Sequence, residues 1–422
     1  MTQSSEITIP LLLQTEKDEI EEGRKVDHII DLNDLDNLSI KSWTISKVNV
    51  WLRESNPDAY TPKMVSIGPY HNKNPQLDSM EKYKKLYLRR FLQRKEGFDV
   101  ESCISKLEQL KEKALECYDD MKDIDTRMLL LDSCFVVEFI REHCQKGVEK
   151  IININDNYIF RDLMLLENQL PFFVLHQLYL MTKQGDDEPL EKLVSDWFLS
   201  FVGFPVHYEY FGNIKHLLHL LHKYSCQGIT KKEPNKYETC QMPNATKLSE
   251  AGVSFVKNSN TKSLFDIKFE NGSMTIPCLQ VEDNTETILR NLIAYEQQSS
   301  DEHSKYFSDY ALFMDQLIDS DKDVNLLRQK GIIMNWLGED KEVVSLFNKI
   351  GNGVTMYPDG FYYKEEFKKA NEHCETPWNR MMASLMHNYF SSPLVGASTV
   401  GGGILLILTT MQTILSLAGS FK

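Results

Sequence analysis

Apolar residues recur at helical spacing through most of the chain. Ile45, Val48 and Leu52 fall on one stripe and predict a helix over 42–53. The pairs Thr61-Pro62 and Gly68-Pro69 punctuate the next stretch as turns. Helical periodicity returns over 80–93, with Tyr83, Leu86, Tyr87 and Phe91 on one side, and again over 103–121. Further helices are predicted over 193–201, 214–224, 308–317, 323–329 and 340–350.

Two runs, 128–139 and 163–181, are too apolar for surface helices. Neither holds the eighteen or so uncharged apolar residues of a membrane span, so both are expected in the core. Residues 145–158 form a loop between them, and Pro171 should open or kink a helix inside the second run. The period shortens to two over 263–281, where Asn271-Gly272 separates alternating apolar and polar positions, the pattern of a β-hairpin. Asn284-Thr285 is expected to cap a helix running through Leu289, Leu292 and Tyr295. The polar stretch 225–244 is the expected mobile loop.

The last run differs in kind. No charged residue occurs from Phe390 to Phe421, and 394–417 is long enough as a helix to cross a hydrocarbon core of about 30 Å. The expected architecture is therefore mainly α. Residues 1–40 are a poorly ordered acidic segment, 41–390 a large helical globular head with a small β-hairpin element, and 394–417 a C-terminal transmembrane helix. Ala397 with Gly401, and Ser398 with Gly402, are spaced for close helix approach, so homodimerisation through the span is a candidate contact.

Composition narrows the partners. The formal net charge is -14, which disfavours a phosphate backbone, and no basic cluster interleaved with aromatics offsets it; nucleic acid is not an expected partner. Residues 7–13 are apolar but short, broken by Pro10 and preceded by no Lys or Arg, unlike a secretory signal. Together with eight scattered cysteines lacking any CxxC pair, this points to a head with reduced thiols in the cytosol. The sequons at Asn37, Asn244 and Asn271 would then stay unmodified.

Candidate chemistry is sparse. HExxH, GxSxG, a P-loop and a zinc-type CxxC pair are absent, so no catalytic, cofactor-binding or metal-binding residues are assigned. His216, His219 and His222 form an HxxHxxH run, but three imidazoles at that spacing spread over about 120° of a helix surface. With Leu217, Leu218, Leu220 and Leu221 opposite, they read as the polar side of an amphipathic helix. Asp132, Glu138 and Glu167 stand inside the most apolar segments. Such acids either pair with a cation or backbone amide, or carry raised pKa values suited to acid catalysis. Ser66 to His71 brings a hydroxyl, a glycine turn and an imidazole together, either as a pocket wall or as a rigid turn.

Several blocks in one order carry a family likeness. Ala59-Tyr60-Thr61-Pro62, residues 65–70 and 80–88 open the series, and residues 128–139 with Leu165-Leu166-Glu167-Asn168-Gln169-Leu170-Pro171 follow. Residues 245–253, Ile276-Pro277, residues 291–297, Gly331-Ile332-Ile333 and Leu346-Phe347-Asn348 continue it, and Tyr389, Phe390 and Pro393 precede the final helix. Together they resemble the plant family known as domain of unknown function 247. Asn49, Leu394, His219 and His222 depart from the residues many relatives carry. The resemblance implies a membrane-associated plant protein and supplies no catalytic residues. The expected function is a membrane-anchored interaction or signalling module whose head binds another protein. The alternative is an enzyme using Glu138 or Glu167 in an apolar pocket.

Overall fold

The computed structural model describes residues 44–145, 147–229, 241–299, 305–355, 360–390 and 393–420. The acidic segment 1–40 and most of the polar stretch 225–244 lie outside the described residues. The buried apolar side chains form one continuous core.

Helix Thr126–Cys144 is the centre of its N-terminal half. Asp125 starts it by accepting the Arg127 amide, and helices Glu81–Leu92, Val100–Glu108, Phe172–Thr182 and Leu190–Leu199 pack around it. Edge-to-face rings fill the contacts, Tyr87 on Phe135 at 5.1 Å and Phe160 on Trp197 at 4.8 Å between centroids. Helix Thr285–Gln298 has the same role in the C-terminal half, against Leu217–Ser225, Tyr306–Leu317 and Asp340–Ile350. Most periodic segments fold as helices close to their expected bounds, and Asp340–Ile350 matches them at both ends, but the helix expected over 103–121 is broken into Val100–Glu108 and Lys111–Leu115 and stops there.

The hairpin forms where expected. Strand β2 (Lys268–Glu270) pairs antiparallel with β3 (Ser273–Pro277), and Phe269 faces Met274. Asn271 and Gly272 turn with φ of 50° and 74°, both in the left-handed region that a two-residue hairpin turn requires. Unexpected are strand β1 (Ser254–Asn258), parallel to β3, and a second sheet in which β4 (Leu279–Val281) runs parallel to β5 (Ile333–Asn335). Helices Lys364–Glu375 and Pro377–Tyr389 were also not expected.

Three further expectations are corrected. Only Val50–Ser55 is helical within the region of 42–53, although Ile45, Val48 and Leu52 are all buried. Upstream, the Val48 amide donates to Glu167 at 2.6 Å, the Asn49 amide to Gln298 at 2.9 Å, and Ile45 bridges to Tyr118, so tertiary bonds replace helical ones. The run 163–181 is interrupted, with helix Asp156–Leu163 ending before a buried non-helical passage that leads to Pro171 and helix Phe172–Thr182. Asn284 precedes helix Thr285–Gln298 but its side chain makes no capping bond; it donates to the Asn157 carbonyl at 2.9 Å instead.

Helix Pro393–Ser420 ends the described chain. Its segment Val395–Ser416 is apolar, without a residue buried in the rest of the protein, and about 33 Å long at 1.5 Å per residue, long enough to cross a membrane.

Candidate functional site

Residues 165–171 cross the core outside any helix, and beyond the turn bonds of the Leu165 and Asn168 amides their peptide groups need other partners. Polar side chains supply them. Asn168 accepts the Ile67 amide at 2.7 Å and donates to the carbonyls of Val65 and Asp162 at 3.0 and 2.9 Å. Gln169 donates to the Leu163 and Leu165 carbonyls and accepts the Leu218 amide. Asn291 accepts the Leu166 amide at 2.9 Å and donates to the Ala59 carbonyl at 2.8 Å. Tyr118 donates its hydroxyl to the Gln169 carbonyl at 2.9 Å.

A second irregular strand, 61–68, is stitched alongside. Asp162 collects the amides of Lys63, Met64 and Val65, and burial still pushes its carboxyl above the usual range. The Gly68 amide donates to Asp132 at 2.9 Å, and the Lys84 ammonium sits 2.6 Å from the other Asp132 oxygen while donating to the Ser66 carbonyl. Gly68 has φ of 73°, and a Cβ there would lie 2.6 Å from the Gln169 carbonyl oxygen. The Ser66–His71 segment is thus a rigid turn laid on the 165–171 passage.

The three acids singled out from the sequence each meet a cation. Burial pushes Asp132 up to about 6 against the pull of Lys84. Glu138, fully buried, accepts from Arg94 at 2.6 Å and Arg141 at 2.9 Å. Glu167 pairs with Arg53 and lies 3.3 Å from the His71 imidazole. Burial opposes its ionisation, but His71, the Val48 amide and Arg53 together hold the carboxyl below its usual range. A fourth acid, Glu142, joins this set by accepting from Tyr87, Arg90 and the Ile151 amide.

The histidine reading is corrected. Helix Leu217–Ser225 has no polar face turned to water: His216, His219 and His222 are as buried as its leucines. Their rings surround Tyr295 at centroid distances of 5.4, 5.6 and 5.4 Å. His216 Nε2 lies 3.0 Å from the Thr44 carbonyl, which can only accept, so its proton is on Nε2 and Nδ1 accepts the His219 amide at 3.1 Å. His219 Nδ1 accepts the Lys215 amide at 2.9 Å. Burial lowers His216 to about 3 and pushes His219 down as well, so both are neutral. His222 donates to Glu296 at 2.9 Å, and Glu296 also takes the amides of Phe307 and Ser308. Among the described residues no group of three or more His, Cys, Asp or Glu side chains is placed to hold a metal ion.

Sequence reasoning missed Asn168, Gln169 and Asn291 as partners of the buried passage, and Glu296 as the partner of His222. Their signal was the recurrence of uncharged or acidic polar residues inside otherwise apolar runs, but the partners are far apart in the chain.

A recess open to solvent lies elsewhere among the described residues. A cleft of about 930 Å³ lies between helix Val100–Glu108 and the start of Thr126–Cys144. Leu88, Ile104 and Leu130 form its apolar floor; Lys85, Glu101 and Arg127 bring both signs of charge to its rim. Asp132, Glu138 and Glu167 do not line it.

Comparison with known proteins gives one consistent result. The model of DUF247, described as a plant protein of unknown function, matches residues 45–408. Two Arabidopsis thaliana relatives are a putative UPF0481 protein, 24% identical with 98% of each chain covered, and a second UPF0481 protein, 27% identical with 85% of this chain and 83% of its own covered. No solved structure matches.

Proposed function

Because the chain belongs to the DUF247 family of plant proteins, and no activity comes with that membership, we propose from its own geometry that it is a membrane-anchored protein-interaction module with a cytosolic head. The observation carrying this reading is the helix Val395–Ser416, apolar over its length and with no residue buried in the head. Asp132, Glu138 and Glu167 are each met by a cation, which favours a structural role for these three over a general acid held ready in a pocket. The open cleft, with its apolar floor and mixed-charge rim, is the surface we assign to a partner's peptide segment. The alternative of catalysis by Glu138 or Glu167 loses its support, since both carboxylates are engaged by arginines and neither lines the cleft.

Membrane fractionation of the full chain tests the anchor: it should stay with membranes after an alkaline carbonate wash. Asn271, exposed at the hairpin turn, reports orientation, because a lumenal head would be glycosylated there. A glycosidase-sensitive mass shift that disappears in Asn271→Gln would contradict a cytosolic head. Affinity purification from solubilised membranes should return a reproducible partner that Ile104→Asp, in the cleft floor, loses; retention by that variant would move the interaction elsewhere.

A further inference from the structure

Helix Pro377–Tyr389 buries none of its residues fully, and its apolar side chains are not scattered. Trp378, Met381, Leu385 and Tyr389 recur at i, i+3, i+7 and i+11, one stripe on a 3.6-residue helix, with exposures of 64%, 54%, 42% and 52%. Asn379, Met382 and Ala383 are the half-buried positions, so the head takes a neighbouring face and leaves this stripe open. Arg380, Ser384 and His387 occupy the far side.

The C-terminal end of the stripe lies beside the apolar C-terminal helix. The Thr399 hydroxyl reaches back to the Tyr389 carbonyl at 3.1 Å, and the Phe390 ring lies against Gly396, where a Cβ would come within 3.2 Å of it. The last turn of the amphipathic helix is therefore tied to the early turns of the span. A bilayer that receives Val395–Ser416 brings its headgroup layer to Tyr389, and the adjoining stripe carries Trp and Tyr, the aromatics that prefer that layer.

We infer that helix Pro377–Tyr389 lies in the membrane interface, seating Trp378, Met381, Leu385 and Tyr389 among the lipid headgroups and fixing the head against the bilayer. The inference rests on the anchored reading above and adds a second membrane contact to it.

The test uses the full chain in vesicles of phosphatidylcholine and phosphatidylserine, recovered by flotation. Emission of Trp378 is isolated by subtracting that of Trp378→Phe, a change that keeps the site apolar. The expected result is flotation, with Trp378 losing more emission to bromines placed near the lipid headgroup than to bromines at the chain end. Flotation with Trp378 quenched only by aqueous acrylamide overturns the inference and leaves the anchor standing. Flotation with Trp378 shielded from both quenchers also overturns it, because the stripe is then covered by a second copy of the chain. Failure to float overturns the anchor and the inference together.

Discussion

Glu138 and Arg141 lie one turn apart on helix Thr126–Cys144, and Arg141 Nη1 meets Glu138 Oε1 at 2.9 Å with both side chains sealed from water. Arg141 also donates to the Thr182 hydroxyl at 2.9 Å and stacks 4.3 Å from the Tyr179 ring centroid. One guanidinium thus joins helix Thr126–Cys144 to helix Phe172–Thr182. A buried pair of this kind gains little over an apolar replacement of both members, yet removing Arg141 leaves Glu138 with Arg94 as its one remaining cation. Arg141→Leu should destabilise the chain by about 3 kcal/mol, and Glu138→Gln combined with Arg141→Leu should cost less than the two single changes added together. Urea unfolding of the detergent-solubilised chain measures both; strict additivity would mean that the two residues are not coupled.

The buried passage makes a second prediction. Asn168 satisfies one amide and two carbonyls that have no access to water. Asn168→Leu keeps the volume but leaves the Ile67 amide and the Val65 carbonyl unmet, while the Asp162 carbonyl keeps the Leu165 amide at 3.3 Å; each unmet group costs about 1–3 kcal/mol if it does not relax. A loss of about 3 kcal/mol or more is expected by the same unfolding measurement. Asn168→Asp should be intermediate, since its carboxylate still accepts the Ile67 amide but donates to neither carbonyl.

What the chain disclosed in advance follows from the range of each interaction. The hairpin was legible because Asn271-Gly272 and its flanking strands are contiguous. β1 and β5 were not, because Ser254 pairs with Ser273 and Leu279 with Ile333 across long stretches of chain. Glu167 announced itself as an acid in an apolar run, but its partners Arg53, His71 and the Val48 amide come from about a hundred residues upstream. The histidine helix misled for the same reason. Seen alone, three histidines opposite four leucines make an amphipathic surface; only Thr44, Tyr295 and Glu296 turn that polar side into core.

Those histidines predict sensitivity to acid. His216 and His219 stay neutral in the folded chain below the pH at which unfolded histidine takes up a proton, about 6.5. The unfolded state therefore binds more protons, and the stability these groups contribute is complete above about pH 6.5 and falls as the pH drops toward about 3. Each should contribute a slope of about 1.4 kcal/mol per pH unit in that window. His216→Asn keeps a side-chain acceptor at the start of helix Leu217–Ser225 but cannot be protonated, so it should remove roughly half of the combined slope. Unfolding free energies at about pH 5 and 7 provide the comparison; an unchanged slope in the variant would show that His216 is not the group taking up the proton.

Asp309 should oppose that trend. Its carboxyl accepts the Tyr362 amide at 2.8 Å, and burial, with Glu296 nearby adding to it, pushes the group up to about 7. Here the folded state holds a proton that the unfolded chain releases near pH 3.9, so the contribution to stability is full at acid pH and is lost as the pH rises to about 7. Asp309→Asn retains an oxygen for the Tyr362 amide and never ionises. Relative to the unchanged chain, the variant should gain on the order of 4 kcal/mol between about pH 4 and 8, because the unchanged chain must bury a carboxylate at the upper end. Comparing the two proteins at each pH cancels the histidine contribution, which they share. A difference that stays constant across that range would mean that Asp309 is already ionised in the folded chain.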